Sequence, residues 1–117
     1  VDSWELERAA ARHQAIENLI SKSRSLRLER VTEGIVRIRQ GDGLDGARLL
    51  LPDLAARLAQ LDAGAWVAAA PHRDLLLLAR GRAVEELSKR AEDAVQRAPH
   101  PVSASLFVIT PRGPRPL

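Results

Sequence analysis

Two pairs of short β-prone runs, each pair closed by a tight turn and preceded by a helical pattern, restrict this chain to few folds. The first pair is Leu26–Val31 and Ile35–Arg39, joined at Thr32–Gly34, and reads as a hairpin. The second is Ala65–Ala70 and Leu75–Ala79 around Pro71-His72-Arg73-Asp74, where proline at the first central position of a type I turn predicts the reversal. Before the first hairpin, Leu6, Ala9, His13, Ile16 and Ile20 are spaced 3, 4, 3, 4 and share one helical face. Asp2 and Ser3 both suit that helix's N-cap. Before the second, the Gly41–Gly46 loop opens a helix with Ala47, Leu51, Leu54, Leu58 and Leu61 expected inward, and Pro52 predicts a bend or restart. A third helix, Ala83–Arg97, turns Val84, Leu87, Ala91 and Val95 inward, and Ser105–Ile109 reads as a last strand.

The expected order is therefore α-β-β-α-β-β-α-β. It predicts an α+β fold, with the helices packed on one face of a mostly antiparallel five-stranded sheet. Residues 1–110 form the domain, and Pro111–Leu117 is expected as a frayed Pro/Arg-rich tail. Direction follows from loop length. A helix entered from the second strand by a short loop runs back along the sheet, so the third strand should point the same way as the second. That rule gathers Ser21–Ser25, Gly41–Gly46, Pro71–Asp74 and Ala98–Ser103 at one end, the upper edge.

At 117 residues the chain fits one domain, and 45% hydrophobic with 28% charged residues is ordinary globular composition. Its apolar runs fall short of the roughly 20 residues that cross a bilayer, and a cytoplasmic, non-membrane setting is expected. With no cysteine, thiolate and disulfide chemistry are excluded. The basic residues comprise 16 Arg and two Lys, yet 15 acidic residues leave a net charge of only +3. That is weak electrostatics for a polyanion.

Several short motifs carry chemistry elsewhere. Gly41-Asp42-Gly43-Leu44-Asp45-Gly46 spells GxGxxG, the dinucleotide fingerprint. Here Asp42 and Asp45 would repel a pyrophosphate and the preceding strand is not apolar throughout. A glycine turn with Asp45 capping the next helix is the better reading, and no cofactor is expected. His72-Arg73-Asp74-Leu75 spells a kinase catalytic loop, but Ala79 stands where that loop needs asparagine. Arg27, Arg30, Arg37 and Arg39 give the first hairpin a basic face that could meet nucleic acid. None of the three aromatic residues, Trp4, Trp66 and Phe107, lies there to stack on bases. His13, His72 and His100 lack metal-ligand spacing, with His13 expected at a packed or boundary position and the other two in loops. No serine sits in a nucleophile elbow.

Four segments together resemble the C-terminal portion of YtpQ-like bacterial proteins. They are Trp4 with Ala9–Ala15 and Asn18-Leu19; Asp42–Leu50; Val67–Pro71 with His72 and Asp74; and Pro101-Val102 before Leu106-Phe107. The DG-x-D-x-x-R-x-L block and the P-H-x-D turn are the most specific pieces. The resemblance implies that Asp42, Gly43, Asp45, Arg48, Pro71, His72 and Asp74 belong to the family pattern, and it implies no catalytic role for them. Leu44 and Ala47 depart from it, standing where relatives tend to carry an aromatic residue and a serine.

These readings favour a non-enzymatic interaction domain with a protein partner, a second copy in a homodimer included, meeting it through the sheet face or the upper edge. The first alternative is a metal-dependent or acid–base enzyme or ligand-binding domain using the Asp42/Asp45/His72/Asp74 edge. The second is nucleic-acid binding through the Arg-rich hairpin.

Overall fold

A computed structural model describes residues 3–23, 26–61, 64–98 and 102–117. The elements are α1 (Ser3–Lys22), β1 (Leu28–Thr32), β2 (Ile35–Ile38), a 3-10 helix η1 (Gly46–Leu50) and α2 (Leu54–Leu61). They continue with β3 (Trp66–His72), β4 (Leu75–Arg80), a second 3-10 turn η2 (Gly81–Ala83), α3 (Val84–Arg97), β5 (Leu106–Thr110) and β6 (Gly113–Pro116). The strands form one sheet in the order β1-β2-β4-β3-β5-β6, antiparallel at every pairing. Because β4 lies antiparallel between β2 and β3, those two strands run the same way, as loop length predicts.

The sheet has six strands rather than five. Thr110 and Gly113 pair across a two-residue turn, Pro111-Arg112, and the expected tail returns along β5. Proline starts that turn, and the Thr110 hydroxyl accepts the Arg112 N–H while donating to the Gly113 carbonyl. Leu117 donates its N–H to Leu106, so the inward-facing residues alternate as Gly113, Arg115 and Leu117. Pro114 and Pro116 therefore sit at the outward positions, where a missing N–H costs the ladder nothing and closes that edge to another strand.

Helices cover both faces of the sheet, not one. Leu49, Leu51, Leu54 and Leu58 from η1 and α2 pack on one face against Ile38, Leu76 and other sheet residues. Leu87 and Ala91 from α3 cover the other, over Ile35, Val67, Leu77 and Ala79. The physical reason lies in the central strands: every residue from Trp66 to Ala69 and from Leu76 to Ala79 is buried, and an unbroken apolar strand needs cover on both sides.

Three local expectations change as well. The second reversal centres on Arg73-Asp74, while Pro71 belongs to β3, where the register with β4 shifts between Ala69 and His72. Such a bulge is where a strand tolerates proline. Pro52 does interrupt the second helical segment, separating η1 from α2, but Ala47 and Leu61 are exposed rather than inward. Asp45 makes no cap hydrogen bond to η1.

α1 stands off the body. Every residue from Ser3 to Ala15 is exposed, and Leu19 is buried near its end. The projecting helix makes the chain longer than compact folding requires: the radius of gyration is 14.7 Å, against roughly 13 Å for a chain of this length.

Candidate functional site

The upper edge is assembled around one side chain. Arg48, in η1, has no solvent exposure. Its guanidinium forks onto Asp42, Nη1 donating to Oδ1 at 2.8 Å and Nη2 to Oδ2 at 2.6 Å. Nη1 also donates to Asp45 Oδ1 at 2.8 Å, and Nε donates to the Ser23 hydroxyl at 2.8 Å. A planar guanidinium suits this work, because one rigid group meets two carboxylates and a hydroxyl in fixed directions.

The carboxylates are spent on the loop itself. Asp45, 1% exposed, accepts the backbone N–H groups of Gln40 and Gly41, while Asp42 accepts that of Leu44. The Arg48 fork holds the Asp42 carboxyl down at about 2, well below the ordinary carboxylate range, and the Leu44 N–H adds to the effect. The same carboxylates raise Arg48 still further above neutrality.

The two segments expected on a common rim do meet. Gly46 donates its N–H to the Arg73 carbonyl at 2.8 Å, so η1 begins directly on the β3–β4 turn. A Cβ at position 46 would lie 2.7 Å from the His72 carbonyl oxygen, closer than real Cβ contacts come. Gly43 holds φ +78° beside the Asp74 carboxylate, a backbone region that side-chain-bearing residues rarely adopt. Nearby, Val102 donates to the Pro71 carbonyl at 2.7 Å. Arg57 of α2 donates to the Ser23 carbonyl, tying down the end of α1.

The residues of the family-like pattern thus divide. Asp42, Asp45 and Arg48 form one ion cluster, and Gly43 and Pro71 shape its surroundings. His72 and Asp74 lie on the turn outside it, where the His72 Nδ1 accepts the Asp74 N–H at 3.2 Å. Asp74 also lies 3.7 Å from Arg73 in an exposed ion pair. His100 lies outside the described residues. Among those described, no three His, Asp or Glu side chains gather closely enough to hold a metal ion. His13 is exposed on α1 rather than packed, 3.6 Å from Glu17.

Sequence reasoning missed Ser23, which has no exposure and closes the cluster from 25 residues away. No local signal marks it. Arg48, by contrast, sits three residues after Asp45, a spacing that brings side chains together on one helical face.

Beside the exposed Arg73–Asp74 pair, the edge presents apolar surface to solvent. A groove of about 360 Å³ is lined by Leu49, Leu50, Ala70, Val102 and Phe107, with His72, Arg73 and Ser103 as its polar residues. Leu50 is 56% exposed and Val102 70%. On the other flank of η1 a second groove, about 330 Å³, lies between Leu44 and the Ile16–Leu19 part of α1. Ala47 and Leu50 belong to both.

On the first hairpin, Arg37 is bound by Glu29 at 2.7 Å, and Arg27 and Arg39 also act on that carboxylate. No aromatic ring belongs to this hairpin.

No protein-family model, curated protein or solved structure matches this chain.

Proposed function

We propose that this domain is a non-enzymatic protein-interaction module whose partner docks on the apolar upper edge at η1. The observation that carries the reading is a division of labour. The Arg48, Asp42 and Asp45 charges are turned onto one another, leaving the Arg73–Asp74 pair on the turn, while Leu50 and Val102 are left standing beside two apolar grooves. Buried, fully paired charges have little capacity to bind or move a proton, whereas contiguous apolar surface gains free energy when covered. The fitting partner is an amphipathic protein segment whose apolar side chains enter the grooves, with an acidic group to meet exposed Arg73. The resemblance to YtpQ-like proteins supplies organisation and no activity.

The test places a photo-crosslinking residue at position 50 or 102, with position 89 on the outer side of α3 as control. Exposed to extract from the organism that makes the protein, 50 and 102 should label the same discrete partner and 89 should not. Equal labelling at all three positions would overturn the reading.

A further inference from the structure

We propose that a second copy of this chain covers the exposed face of α1, forming a short parallel two-helix coiled coil. This goes beyond the interaction reading above, adding a contact on α1 away from η1. A helix of 20 residues extends about 30 Å, and from Ser3 to Ala15 every residue of it is exposed. The exposed part, Ser3–Ala15, has a length that is marginal for an isolated helix in water, so a partner along its apolar stripe would stabilise it.

The stripe has coiled-coil spacing. Leu6, Ala9, His13, Ile16 and Ile20 fall at 3-4-3-4 intervals, the a/d seam of a heptad. At roughly 100° per residue, Leu6, His13 and Ile20 lie about 100–180° around the helix from Ala15 and Leu19, which face the body, while Ile16 is half buried at the margin of that groove. The seam therefore remains open at Leu6, Ala9, His13 and Ile20 while α1 stays docked.

Charge selects the occupant and its direction. With Leu6 at a, Arg12 falls at g and Glu17 at e, one on each flank of the seam. In a parallel pair, g of one helix meets the following e of the other, so Arg12 faces the partner's Glu17 twice over. An antiparallel pair that used the whole seam would bring the Arg12 flanks toward one another. His13 at a central a position adds a polar layer, the kind of residue that fixes register at some cost in affinity. The two bodies then lie on the outer sides of the helix pair, both at its C-terminal end.

Sedimentation of the intact chain over a roughly hundredfold concentration range should show mass rising from 12.8 kDa toward twice that value. Arg12→Glu and Glu17→Arg should each associate roughly tenfold more weakly, because like charges then face across the seam. An equimolar mixture of the two variants should recover association as a heterodimer. The chain has no cysteine of its own, so Leu6→Cys should form an intermolecular disulfide readily and Ala11→Cys, on the far face, should not. All four positions are exposed, and unchanged circular dichroism checks their folding. A mass that stays at one copy, or a mixture no better than either variant alone, overturns the proposal. If labelling from positions 50 and 102 persists in that case, the interaction reading survives without the dimer.

Discussion

Arg48 decides how the upper edge behaves, because its buried guanidinium faces two carboxylates and a hydroxyl. Arg48→Ala should cost about 3–5 kcal/mol, since it strands the buried Asp45 without a counter-charge. Arg48→Lys should recover only part of that, as an ammonium cannot fork both carboxylates. Urea unfolding measures both, and a loss below about 1 kcal/mol for the alanine variant would contradict the cluster's structural role. Asp42 adds a pH dependence. Its carboxyl titrates near 3.8 ordinarily and about 2 in the fold, so the fold favours the ionised form. The contribution is complete above pH about 4 and is lost as pH falls through about 2, worth on the order of 1–2 kcal/mol after solvent screening. Asp42→Asn should flatten the stability curve across that window, and an unchanged curve would count against the fork. The sequence showed Asp45 and Arg48 three residues apart, and the aspartates did suggest an active edge. Their inward direction was illegible, because it depends on Ser23, whose approach is set by where α1 ends.

The elements most plainly written in the chain are those with a period: α1, α3 and the two hairpins. Less legible were features set by what lies above or beside an element. The apolar runs of β3 and β4 already implied cover on both faces, a consequence hidden by the economy of placing all helices together. β6 was illegible for a different reason. Its four residues, Gly113–Pro116, lack β propensity and gain their ladder only because Pro111-Arg112 turns the chain back onto β5. Deleting residues 111–117 would leave Leu106–Thr110 as a bare apolar edge. Lower thermal stability and concentration-dependent aggregation should follow, checked by thermal scans with light scattering. Unaltered melting without aggregation would show β6 to be dispensable. Gly46→Ala tests the junction of η1 with the β3–β4 turn. A Cβ 2.7 Å from the His72 carbonyl forces backbone apart, and a loss of about 1–3 kcal/mol is expected on urea unfolding.

At the scale of the whole molecule, both sheet faces are covered and the β6 edge is sealed by prolines. The upper end and the outstanding α1 are the places where we propose recognition. Loop length alone located that end, since β2 and β3 had to run the same way. Whether its charges or its apolar groups meet the partner required their directions. In the proposed interface the apolar groups make the contact, with the ion cluster as support. The most direct test compares partner retention by wild type, Leu50→Asp and Asp74→Ala, with both variants checked for stability within about 0.5 kcal/mol, as exposed substitutions should be. Retention should fall at least about tenfold for Leu50→Asp and stay near wild type for Asp74→Ala. Retention lost in Asp74→Ala and kept in Leu50→Asp would contradict the proposal and return the site to its polar rim.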